Sequence, residues 1–223
     1  MKIKLFDKYF RFLSQLKLDF ASVPRFICFM DERTVATSTR AIWGSVGRIV
    51  VMSVTDSLKQ VRSIEVENGC FGITSRQQNL TVCVNGDTIL TYDKSYEVSN
   101  RIQSFDSGVK TAISINPDGE RIHYTVQNKI VTMDMNGIKL EIFESDELKD
   151  VAAITVDKNG IIYCCGQKSN NVVLFSPEGR QLGVLLSHEH GLNNPTGICL
   201  NDKNNRLLVF QSKSSSIKVF TLV

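Results

Sequence analysis

The sequence predicts an all-β fold, a β-propeller of four-stranded antiparallel blades, with five blades or a shortened six-bladed ring. The first observation is residues 150–187, where four short runs rich in β-branched residues are separated by turn-forming clusters. The alternating run 151–156 is followed by Asp157-Lys158-Asn159-Gly160. Runs 161–165 and 172–175 flank a polar segment, and Ser176-Pro177-Glu178-Gly179 leads into 181–186. Alternation with Gly, Pro, Asn and Asp punctuation is what an antiparallel meander requires. The second observation is repetition. The opening strand and turn recur from Ile27, Ile73, Ile113, Ile154 and Ile198, at intervals of 46, 40, 41 and 44 residues. One such unit cannot bury both faces of its sheet, and a period of this size with four strands per repeat is that of propeller blades.

The elements follow in order. Residues 3–18 read as a strand, a turn and a second strand, similar to the second half of the unit at 172–187, so the chain starts in mid-blade. A helix over these residues competes, because Phe10, Phe12, Leu13, Leu16 and Leu18 fit a strand with one slip about as well as a helical period. Blade one spans about 24–66, with strands near 25–30, 34–38, 48–54 and 60–66, and its long connection Thr39–Gly47 holds the single tryptophan, Trp43. Blade two spans about 70–106, with a hairpin signal at Val84-Asn85-Gly86-Asp87. Blade three spans about 110–145, blade four 150–187 and blade five 195–223. Blade five has three strands. An open sheet edge invites aggregation, and the strand at 10–18 is the candidate to close it, leaving residues 3–8 over. The whole of 1–223 is read as a single propeller domain.

Composition narrows the class. With 223 residues, 42% of them hydrophobic and 22% charged, the chain is that of an ordinary globular domain. A net charge of +3 is too small to argue for nucleic acid by itself. Cys28, Cys70, Cys83, Cys164, Cys165 and Cys199 fall inside strand patterns with no C-x-x-C pair, which points to reduced core thiols and a cytoplasmic location. No run reaches the roughly 20 apolar residues of a membrane span, and no membrane partner is expected.

At Asn194-Pro195-Thr196-Gly197-Ile198, followed by NDKNNRLLVFQSKSSSIKVF, the pattern resembles the NHL repeat of tripartite-motif (TRIM)-NHL proteins. Residues 154–175, ending in the strand before Ser176-Pro177-Glu178-Gly179, are similar to it. The likeness covers about 110–223 and extends to the remainder only through the period. It implies a six-bladed NHL propeller that serves as a platform for proteins or RNA. In TRIM-NHL members a RING, B-box and coiled coil supply ubiquitin ligase activity. The sequence contains none of these modules, so that activity is not carried over. Calcium-dependent lactonases and a copper/zinc lyase in the wider propeller group keep a hydrolase or lyase as an alternative.

Candidate chemistry is sparse. Asp31, Asp118, Asp157 and Asp202 recur in the first turn of a blade, where aspartate caps turn amides; a catalytic pair needs carboxylates in unlike environments. His188 and His190 could chelate, but the remaining histidine, His123, sits in a strand of another blade, and zinc needs a third ligand. No nucleophile elbow, zincin motif or phosphate loop occurs. The chain is expected to be a non-catalytic interaction module without cofactor, metal or small-molecule substrate. Propellers present inter-strand loops on their rims, and the loops between second and third strands carry Arg40, Trp43, Lys129, Lys168, Asn170, Lys213 and Ser214. These residues form the expected partner-binding rim. A protein partner is the first expectation, and single-stranded RNA, held by lysines and a stacking aromatic, the alternative.

Overall fold

The computed structural model describes residues 2–7, 9–18, 22–41, 46–67, 69–84, 87–104, 106, 108, 110–212 and 217–222. The chain divides into two compact units, Met1–Phe105 and Asp106–Val223.

The first unit holds a two-stranded hairpin, β1 (Lys2–Phe6) and β2 (Phe12–Lys17), and two four-stranded antiparallel sheets. The first sheet is β3 (Ser22–Asp31), β4 (Thr34–Ala41), β5 (Gly47–Val54) and β6 (Leu58–Val66). The second is β7 (Cys70–Arg76), β8 (Asn79–Val84), β9 (Thr88–Tyr92) and β10 (Val98–Gln103). Alternation sorts the side chains. Ala36, Ile49 and Val51 on one face of the first sheet meet Cys70, Ile73, Leu80, Val82, Leu90 and Tyr92 of the second. Each such aliphatic side chain contributes on the order of 1.5–3 kcal/mol on burial. Residues of opposite parity, Val35, Val50 and Met52, form a smaller core with Leu18, against which Ile3 and Leu16 pack.

That second core corrects the reading of the N-terminus. The expected partner of residues 10–18 was the fifth blade, but β2 is paired with β1, with Ile3 opposite Leu16. Ser14 Oγ accepts a hydrogen bond from Leu58 N at the start of β6 (3.1 Å), fixing the hairpin on the first sheet. The apolar alternation of these residues is satisfied there. The connection after Thr39 is also shorter than expected, because Thr39 and Arg40 remain in register with Arg48 and Gly47.

The second unit contains two four-stranded sheets and one of three. They are β11 (Lys110–Ile115) to β14 (Lys139–Phe143) through β12 (Arg121–Val126) and β13 (Lys129–Asp134). Next come β15 (Val151–Val156), β16 (Ile162–Gly166), β17 (Asn171–Phe175) and β18 (Gln181–Leu186). The last sheet is β19 (Pro195–Asn201), β20 (Arg206–Gln211) and β21 (Ile217–Thr221). In the four-stranded sheets the middle strands are buried on both faces and the last strands alternate or lie exposed, as in β9 against β10 and β16 against β18, whereas the middle strand β20 of the three-stranded sheet alternates. The architecture is all-β, with five blades of antiparallel strands in the β-propeller class.

One turn recurs in both units. Asp7, Asp93, Asp134 and Asp157 each accept backbone N–H bonds on Oδ1 from the residues two and four positions later, at 2.8–3.1 Å. The residue three positions later is left-handed in every copy: Phe10, Tyr96, Gly137 and Gly160. Glycine takes that conformation freely, whereas a side chain there is strained by roughly 1–2 kcal/mol. Phe10 has φ 62° and is exposed. Phe10→Gly is therefore expected to raise the urea midpoint, corresponding to about 0.5–1 kcal/mol once the added freedom of the unfolded chain is offset. A lowered midpoint would mean that the ring holds the hairpin in place.

Candidate partner-binding rim

The rim of the second unit is built by turns between second and third strands and by the residue that precedes each following first strand. Asn128, in the turn between β12 and β13, accepts a hydrogen bond on Oδ1 from Asp150 N (2.7 Å). Asn170, in the turn between β16 and β17, accepts one from Asn194 N (2.8 Å). Asp150 and Asn194 are both left-handed, with φ 58° and 52°, and each immediately precedes a first strand. The same connection is thus made twice, blade to blade. Asp150 and Asn194 carbonyls accept bonds from Gln167 N (2.9 Å) and Ser212 N (3.0 Å). Gln167 Nε2 donates to Asn194 Oδ1 (3.2 Å). Ser169 Oγ accepts from Lys149 N (3.0 Å) and donates to Asn171 Oδ1 (2.7 Å), and Asn171 Nδ2 donates to the Glu147 carbonyl (2.7 Å). These bonds hold the rim backbone in one arrangement.

Of the residues expected to bind, Lys129, Lys168 and Asn170 belong to this rim. Asn170 is structural, because its side-chain oxygen serves Asn194. Lys129 pairs with Glu144 at 2.6 Å, Lys168 with Asp150 at 3.4 Å and Lys149 with Asp146 at 3.9 Å. Such exposed pairs add little stability, yet each places a carboxylate beside a lysine and flattens the local positive field. Arg40 lies in the first unit, where its guanidinium stands 5.4 Å from the centre of the Phe71 ring. Trp43, Lys213 and Ser214 lie outside the described residues, as do Asn85 and Gly86 of the expected hairpin. Asp150 and Asn194 were not recognised from sequence; their signal is an Asp or Asn just ahead of a strand, where a left-handed residue is needed.

The candidate chemical groups have local duties. Asp31, Asp118 and Asp157 accept turn amides from Arg33, Glu120 and Asn159, each at 2.8 Å, in accord with the turn reading. Asp202 differs, opening a short 3₁₀ turn, Asp202–Asn204. His190 Nδ1 accepts from Ser187 N (3.2 Å) in a capping box around a second 3₁₀ turn. His123 is buried against Thr132 (2.8 Å). Among the described residues no three His, Cys, Asp or Glu side chains converge. None of the six cysteines forms a disulfide. Burial pushes the Cys28 thiol up to about 12 and that of Cys70 up to about 11; Cys164, Cys165 and Cys199 are pushed up too, so these thiols stay protonated and unreactive.

No family model matches the sequence, and no curated protein matches it. The fold is similar to that of a protein of unknown function from Bacteroides caccae, solved by crystallography. The TM-score is 0.74 at 13% identity, over 96% of this chain and 81% of that one. The likeness is one of fold. Among the described residues no helix is long and apolar enough to cross a membrane.

Proposed function

We propose that this chain is a non-catalytic interaction module of NHL type that recognises a protein partner through the rim of its second unit, in a reducing, cytoplasmic setting. The observation that carries this reading is the pairing of Lys129, Lys149 and Lys168 with Glu144, Asp146 and Asp150. A nucleic acid would have to displace those carboxylates before its phosphates met the lysines. A protein surface of mixed charge and amide groups can bond both members of each pair. The hydrogen-bonded backbone beneath keeps these groups in place, which lowers the ordering cost of binding. The order N-x-P-x-G-I at 193–198 supports the NHL type, and strand cysteines that form no disulfide support the compartment.

The test places a photo-crosslinking residue at position 129 or 168 of the full chain in cell extract. Adducts removed by protease and untouched by ribonuclease are expected. In parallel, random single-stranded RNA titrated at two salt concentrations is expected to bind weakly and without change on Lys168→Glu. Ribonuclease-sensitive adducts, with salt-dependent RNA affinity lost in Lys168→Glu, would replace the protein reading with RNA recognition.

A further inference from the structure

A second surface, on the first unit, has an open strand position. Cross-strand partners share a face, so the register of the first sheet defines two rows. Phe29, Val35 and Met52 make one row, and Ile27, Thr37 and Val50 the other. Along each row burial changes abruptly. Met52 and Val50 are fully buried and Val35 is 4% exposed, whereas Phe29 is 68% and Ile27 57% exposed. The N-terminal hairpin accounts for the difference. Its β2 is tied to β6 through Ser14, and Ile3 of β1 reaches the core formed by Val35, Val50 and Met52. Two strands thus cover the outer part of a four-stranded sheet. On this face β4 is buried at Val35 and Thr37, and the part that stays open is β3, at Ile27 and Phe29.

β1 borders this opening. It is paired on one side by β2 and has no strand on the other among the described residues. Its side chains alternate, with Ile3 and Leu5 half-buried and Lys2, Lys4 and Phe6 exposed. Lys2 stands directly opposite Lys17, a like-charge pair that disfavours the hairpin. Among the described residues no carboxylate forms an ion pair with Lys2, Lys4 or Lys17. The edge therefore offers backbone donors and acceptors, an apolar floor and an uncompensated positive outer side.

We propose that an extended strand of a partner protein, alternating apolar and acidic residues, adds to the free edge of β1 and lays its apolar side chains on Ile27 and Phe29. Its acidic side chains then lie on the outer side beside Lys2 and Lys4, and its backbone completes the ladder, as in strand-addition recognition. The surface belongs to the first unit and shares no residue with the rim of the second, so either reading can fail alone.

The test is fluorescence anisotropy of the full chain with two labelled synthetic peptides, one alternating Val and Glu, the other Val and Lys. The Val/Glu peptide is expected to bind saturably and about tenfold or more tightly than the Val/Lys peptide. Ile27→Ser with Phe29→Ser should abolish that binding without lowering the urea midpoint, since both side chains are exposed. Lys2→Glu with Lys4→Glu should reverse the peptide preference. Hydrogen exchange should show new protection of β1 amides in the complex. Equal affinity for both peptides, or binding indifferent to Ile27 and Phe29, overturns the proposal. So does a dimer in sedimentation that Ile27→Ser with Phe29→Ser converts to monomer, because the occupant is then a second copy of the chain.

Discussion

Gly47→Ala is expected to lower the stability of the first unit by about 3 kcal/mol or more, the upper range for a forced overlap in a packed interior. Gly47 opens β5 where the first sheet meets the start of β7. A methyl carbon there would lie 2.6 Å from Cys70 N, 2.8 Å from Gly69 Cα and 2.8 Å from the Thr39 carbonyl oxygen. All three are backbone atoms, so no side chain can rotate to make room. Movement of β7 would also break the bonds that Cys70 Sγ donates to the Thr39 (3.0 Å) and Arg48 (3.2 Å) carbonyls. Gly183→Ala is the control: φ there is 140°, but nothing lies within 4 Å of the added carbon. Backbone strain alone should cost it about 1 kcal/mol. Urea midpoints of the two variants separate the effects, and a Gly47→Ala change no larger than that of Gly183→Ala would falsify the close approach of β5 to β7.

Stability should also fall as pH drops from 6.5 towards 4, through His123. This side chain is 1% exposed in β12, with Nδ1 at 2.8 Å from Thr132 Oγ1 on β13. Burial, reinforced by the positive charge of Arg121 and opposed by Asp118, lowers its pKa from 6.5 to about 4. The unfolded chain takes up a proton below 6.5 that the native state refuses until about 4, so the loss occupies that window and is absent above it. By pH 4.5 the loss amounts to about 2.5 kcal/mol for this one group. His123→Gln keeps a polar partner for Thr132 and cannot titrate. Its urea midpoint should be less dependent on pH between 6.5 and 4.5 by that amount. Parallel pH profiles for the two proteins would show that His123 is protonated in the folded state. The turn carboxylates Asp93 and Glu178, whose pKa values are lowered mainly by bonds from Ser95 and Ser176, begin to lose their contribution only as pH falls through their ordinary values of 3.8 and 4.5, at the acidic end of the window and below it.

Much of the chain was legible because its signals are local. Asp157-Lys158-Asn159-Gly160 announces its turn, since aspartate accepts the turn amides and glycine takes the left-handed position. The same turn at Asp7 and Asp93 lacks the glycine, because Phe10 and Tyr96 stand in the left-handed position, and at Asp7 the turn was legible only from the flanking strands. Lys129 and Lys168 could be assigned to inter-strand positions by spacing. Their neutralisation could not, because Glu144 lies beyond the whole of β14 and Asp150 precedes β15. Residues 12–17 were readable as a strand, but not the surface they would cover.

Local signals define the strands, their order within each blade and most of the turns. Strand alternation and turn conformation are set by residues within a few positions of one another. The tertiary structure alone decided that the hairpin covers Val35, Val50 and Met52, that the rim lysines face carboxylates, and that Ile27 and Phe29 stay open. Alternation specifies that one face of a strand seeks apolar contact. It does not specify which of several equally apolar faces will supply it, and that choice is made only when the sheets stack.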